Sequence, residues 1–231
     1  RPRYCEVFVA LDDPYSYLLL QLLRQFCEDF SLDLDIHLIH RRQADMFPEN
    51  TMWSKWAIDD ATKLAGLYQL YLPPYYPKTN NLRQAQSFWA QHPPENIHQA
   101  IEHFEQLWLD RIIPSANTCP QPLLRQNEQH LKALGHYLPA SIYFAGQWYW
   151  GIDRLEHLEQ RLLALGFNEQ PYHGSKYART WENFCAQPTT AVTDKTQPIE
   201  LFFSMRSPYS HLALNRCHAL AKHYQVPLII K

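Results

Sequence analysis

Apolar residues change their period twice within the first forty positions. Residues 4–10 (YCEVFVA) are rich in β-formers and predict a strand. From 14 to 30, Leu18, Leu19, Leu22, Leu23, Phe26 and Phe30 recur at three- and four-residue steps, which makes one apolar stripe and predicts a helix. Residues 33–39 (DLDIHLI) then alternate polar and apolar with the period of two that a half-buried strand requires. A strand, a helix and a strand joined by short connections predict a right-handed βαβ unit with parallel neighbouring strands.

The middle of the chain is helical and dense in aromatics. Helices are predicted at 53–70, 81–91, 95–112 and 121–134, punctuated by Pro73, Pro74, Pro77, Pro93, Pro94, Pro114, Pro120 and Pro122. Together they form a helical insertion over about 50–135. Sheet periodicity returns at 139–145 (PASIYFA), and a turn at Gly146-Gln147 with 148–150 (WYW) predicts a hairpin. Leu155, Leu158, Leu162 and Leu163 then mark a closing helix over 152–165, with Gly166 placed as its C′ residue. The order βαβ, helices, ββα is that of an α/β domain with a four-stranded sheet flanked by helices.

From 167 to 197 the composition shifts to a Thr/Pro/Gln/Asp-rich stretch with one short helix at 175–186, which reads as an interdomain linker. Beyond it the opening pattern recurs. Residues 9–20 (VALDDPYSYLLL) and 203–214 (FSMRSPYSHLAL) share PYS and the leucine spacing at a separation of 194, and 6–36 aligned with 200–230 gives nine identities without a gap. The expected organisation is therefore a domain over 1–166, a linker over 167–197, and the start of a second copy over 198–231. Because a lone βαβ fragment cannot bury both faces of its sheet, the chain is expected to be a piece of a longer protein. Its C-terminal piece would pack on the first domain or on another chain.

Charge and cysteine usage exclude several function classes. Lys plus Arg total 21 against 23 Asp plus Glu with no block of either sign, so a nucleic-acid partner is not expected. The longest apolar runs, such as YLLLQLL, are far too short for a membrane span, and RPRYCEV lacks the apolar core of a signal peptide. Five scattered cysteines without a CxxC pair argue against a disulfide scaffold and a zinc knuckle, and fit reduced thiols in a cytoplasmic protein. None of the twelve histidines sits in HExxH; His37 and His40 bracket one strand end, and His98 and His103 lie about 140° apart around a helix. No metal site is expected from these spacings, since metal ligands must converge.

The SPYS corner after a strand, the helical insertion, Leu138-Pro139 ahead of the third strand and the run WYWGIDRLEHLEQRL resemble the DsbA-like thioredoxin superfamily. Within it the chain is most similar to the branch of 2-hydroxychromene-2-carboxylate isomerase and kappa-class glutathione transferase, whose aromatic-Gly-x-Asp-Arg ending Trp150, Gly151, Asp153 and Arg154 match. The resemblance covers 4–166 as a domain and 198–231 as the opening of another, and it implies a thioredoxin-like fold with glutathione as cofactor.

The same resemblance implies roles for single residues. Leu138, ahead of a cis Pro139, would pair with the cysteine main chain of glutathione, and Asp153 would take the γ-glutamyl ammonium. Tyr15 sits in the same corner as a further glutathione contact. Ile152 stands where the branch often has serine. At the corner itself the family places a serine that helps to form the thiolate; Ser207 keeps it, whereas Asp13 replaces it in the first copy. An ionised Asp13 raises the pKa of a neighbouring thiol instead of lowering it, and as an N-cap before Pro14 it needs no chemistry at all. Ser207 is the leading catalytic candidate and Asp13 a capping residue or a repurposed acid or base.

Three functions stay open: a glutathione-dependent isomerase or transferase, a thiol-disulfide oxidoreductase that the missing CxxC opposes, and a non-catalytic binding or scaffold module. The expected partners are a small, aromatic substrate, suggested by Trp53, Trp56, Tyr68, Tyr71, Tyr75, Tyr76, Trp89 and Trp108, and a second copy in a homodimer.

Overall fold

The strand β1 (Tyr4–Val9) is the spine of the first unit because its two faces are apolar in different ways. Cys5, Val7 and Val9 point into a large core and are fully buried, whereas Glu6 and Phe8 face the other side, where Phe8 packs with Ile39 and Leu131. A computed structural model describes residues 3–40, 49–168, 175–178 and 194–231. They fall into two compact units, Arg1–Ala178 and Arg179–Lys231.

In the first unit β1 is followed by α1 (Pro14–Phe30) and β2 (Asp33–Leu38), then by α2 (Asn50–Tyr68), α3 (Thr79–Gln91), α4 (Ile97–Trp108) and α5 (Gln121–Ala133). The hairpin β3 (Ser141–Phe144) and β4 (Gln147–Trp150), a 3-10 turn (Ile152–Arg154) and α6 (Leu155–Ala164) complete it. The sheet order is β2-β1-β3-β4, with β1 and β2 parallel and the other pairs antiparallel. This is the mixed α/β architecture that the periodicities predict.

The core explains why the helical insertion is aromatic. Trp89 and Trp108 are almost fully buried, and Tyr17 of α1 stacks on Phe104 and Trp108 at centroid distances of 5.8 and 5.9 Å. Truncating a side chain of this kind costs about 3–5 kcal/mol. Trp108 also donates from Nε1 to the Leu11 carbonyl at 2.8 Å, which ties α4 to the loop that carries Asp13.

Three local readings need correction. The hairpin turns on Ala145 (φ 46°) and Gly146 (φ 82°), one residue earlier than Gly146-Gln147, because a two-residue turn of this hand needs positive φ at both positions. The third strand starts at Ser141 and not at 139, since Ala140 takes φ 56° and breaks the extended backbone. No cis peptide bond occurs among the described residues, so Leu138–Pro139 is trans.

The stretch expected as linker is in part core. Phe167 and Tyr177 are buried in the first unit. Glu159 of α6, itself fully buried, accepts from the Lys176 amide at 2.7 Å, from the Tyr177 amide at 3.3 Å and from the Ser175 hydroxyl. Residues 175–178 are not helical; the remainder of the helix expected at 175–186 lies outside the described residues.

The second unit contains β5 (Ile199–Leu201), α7 (Pro208–Tyr224) and β6 (Leu228–Ile230), with the two strands parallel. Its register matches the first unit at the separation of 194: Cys5↔Leu34 becomes Ile199↔Leu228, and Val7↔Ile36 becomes Leu201↔Ile230. The C-caps match too, Ser31 and Gln225 both standing in the left-handed region.

Candidate functional site

The loop from β1 into α1, the segment ahead of β3 and the turn after β4 all end at one place, where α2 passes over them. Between them lies a cleft of about 420 Å³. Asp13, Tyr15, Leu138, Pro139 and Asp153, singled out from sequence, all line it. Ser207 belongs to the second unit, where it caps α7 by accepting from the Ser210 amide at 3.3 Å.

Asp13 is buried and holds the corner together. Its Oδ2 accepts from the Ser16 amide at 2.8 Å and from the Ser16 hydroxyl at 2.7 Å, and the same hydroxyl oxygen accepts from the Ala10 amide at 3.1 Å. The carboxylate thereby satisfies one of the orphan amides at the helix start. Tyr15 donates its phenol to Asp60 of α2 at 2.8 Å. Burial, then the bond to Asp60, then the charges of Asp60 and Asp13 hold the Tyr15 hydroxyl well above the ordinary phenol range.

Leu138 does not present a free ladder edge. Its amide donates to His136 Nδ1 at 3.1 Å, and its carbonyl accepts from the Ser141 hydroxyl at 2.9 Å. Burial holds the His136 imidazole below its ordinary pKa, opposed in part by its bond to the Leu138 backbone. The expected main-chain pairing of Leu138 with a glutathione cysteine therefore meets groups already engaged, and it meets them next to a trans Pro139 and a left-handed Ala140.

Asp153 is exposed at the cleft rim, with Arg154 Nε 3.7 Å from its Oδ2. Gly151 sets its position. With φ 81° and ψ 166° the glycine backbone is in a region that side chains hardly enter, and a Cβ there would stand 2.7 Å from Asp153 Oδ1.

The opposite wall comes from α2; sequence reasoning named its Trp53 and Trp56 and missed Asp60 and Leu64. Trp53, Trp56, Asp60 and Leu64 are spaced three, four and four apart, so one helix face delivers all four to the cleft. That spacing was a usable signal: a lone carboxylate on an apolar helix stripe. Of the eight aromatics read as a substrate wall, Trp53 and Trp56 line the cleft, while Trp89 and Trp108 are core. Trp150, half-exposed at the end of β4, closes the aromatic side. Among the described residues lining the cleft, Asp13, Asp60 and Asp153 face a single cation, Arg154.

No protein-family model matches the chain, and no curated protein matches it. A solved structure of 2-hydroxychromene-2-carboxylate isomerase superposes with a TM-score of 0.54 at 14% identity, covering 71% of this chain and 96% of that one. The chain is therefore similar to that isomerase in fold, a thioredoxin-like mixed α/β architecture.

Proposed function

We propose that the first unit is a ligand-binding domain of this fold that takes a flat aromatic, uncharged or cationic molecule and does not activate a thiol. The observation that carries this reading is the electrostatics of the corner. Burial and the carboxylates of Asp60 and Asp13 push the Tyr15 phenol upward, and a thiol brought to the same place would be raised by the same causes. Trp53, Trp56 and Trp150 supply faces for stacking and for a cation over a ring. Glutathione, an anion that must become a thiolate to react, is the wrong charge for this cleft.

The test uses intrinsic tryptophan fluorescence of the full chain. Phenyltrimethylammonium is expected to quench it saturably, with the response lost in Trp56→Ala, while glutathione at millimolar concentration leaves it unchanged. Tight glutathione binding accompanied by ultraviolet thiolate absorbance that persists in Ser207→Ala would overturn the proposal.

A second reading rests on the repeated corner. We infer that glutathione-dependent isomerase or transferase chemistry, where this protein has it, depends on Ser207. Any such turnover is expected to disappear in Ser207→Ala and to persist in Asp13→Ala; the opposite pattern would put the chemistry in the first unit. A thiol-disulfide oxidoreductase is disfavoured, because neither corner has a CxxC, and insulin reduction by the chain would revive it.

A further inference from the structure

On the sheet face away from α1, three potential metal ligands from three elements converge. Glu6 of β1, His37 of β2 and His130 of α5 each offer one ligand atom, and these atoms all lie within 4.8 Å of one another. Glu6 Oε2 is 3.2 Å from His37 Nε2, and His130 Nε2 contacts the same oxygen. None of the three lines the cleft.

We propose that Glu6, His37 and His130 bind a divalent first-row transition metal ion. Two imidazoles and one carboxylate suit zinc, and three protein ligands leave a fourth position for water. In a tetrahedral site with bonds of 2.0–2.1 Å, ligand atoms stand roughly 3.3 Å apart. The Glu6–His37 separation already has this value, so only His130, half-exposed on α5, has to adjust.

The fold holds the ligands in place. The parallel register pairs Glu6 with Asp35 and Phe8 with His37, which brings all four side chains to one face. Phe8 stacks on the His37 ring at 4.7 Å with an interplanar angle of 25°, and so limits its rotation. Asp35, steadied by the Tyr4 hydroxyl at 2.8 Å, stands 3.4 Å from His37 Nε2 and adds negative charge beside the site. Asn127 of α5 donates to the Leu38 carbonyl at 2.9 Å, which fixes the helix that carries His130 to the end of β2. A bound ion would clamp β1, β2 and α5 together. Glu6 and His37 are only 15% exposed at their side chains, so a cation there is partly shielded from competing water.

The experiment is a zinc titration of the untagged full chain by calorimetry, with cobalt(II) as a spectroscopic probe. One zinc ion is expected to bind per chain with micromolar or tighter affinity, to raise the melting temperature, and to give the intense visible bands of four-coordinate cobalt. His37→Asn and Glu6→Gln are each expected to weaken binding at least about tenfold, since even outer-shell substitutions reach that range. His130→Asn, at a half-exposed helix position, gives the same test without touching the sheet. Absence of zinc binding at submillimolar concentration overturns the proposal. So does unchanged affinity in the three variants, which would place the ion among the other histidines of the chain.

Discussion

Asp13 and Ser207 occupy the same backbone position 194 residues apart, with φ −101° and ψ 117° at the first and φ −99° and ψ 115° at the second. Each side chain accepts from the amide three residues on, Ser16 or Ser210, and each amide donates to the carbonyl three residues back, Ala10 or Ser204. The hydroxyls of Ser16 and Ser210 take the same backbone amide in their loops, at 3.1 and 3.3 Å. The corner thus tolerates aspartate or serine because either oxygen satisfies the helix start. Asp13→Ser is expected to stay within about 0.5 kcal/mol of the parent, whereas Asp13→Ala costs about 1–2 kcal/mol. Urea unfolding of the full chain checks both.

Gly151 predicts a cost of two parts. Its backbone conformation is strained for any side chain by about 1–3 kcal/mol, and a Cβ would collide with Asp153 Oδ1. Gly151→Ala is expected to lower the melting temperature. Adding Asp153→Ala should recover the collision only, so the double variant remains less stable than Asp153→Ala alone.

Glu159 predicts a local release. Its buried carboxylate takes the amides of Lys176 and Tyr177 together with the Ser175 hydroxyl. Glu159→Ala removes that acceptor, leaves the buried Tyr177 amide without it, and is expected to cost about 1–3 kcal/mol. Amide exchange at Lys176 and Tyr177 should accelerate in this variant more than exchange in β1, which distinguishes a freed segment from general unfolding.

His103 predicts a pH dependence. Its Nδ1 is, among the described residues, a buried side-chain nitrogen without a hydrogen-bond partner, and burial first, then the charge of His92, lower its pKa to about 4. The unfolded histidine takes its proton near 6.5 and the folded one near 4, so between these values the unfolded state binds more protons. The contribution is fully present above about pH 6.5 and is lost as pH falls toward 4. In His103→Phe, unfolding free energies measured across this window should show a shallower loss.

How much of this was legible in the sequence follows the range of the forces involved. The stripe of α1, its cap at Asp13, the parallel β1–β2 pair and the closing hairpin are set by periodicity and turn chemistry within a few residues, and the chain states them openly. The resemblance to a known fold added Leu138, Pro139 and Asp153, which do reach the same cleft as Asp13. It could not supply the trans bond at Pro139 or the engagement of the Leu138 amide by His136, since both depend on how the preceding loop packs. Tyr15 and Asp60 are 45 residues apart, and Glu6 and His130 are 124 apart. Periodicity places such residues on a face and says nothing about which face meets which. That was decided by strand register and by the docking of α2 and α5, where burial of distant apolar surface selects one arrangement and carries the polar side chains into contact.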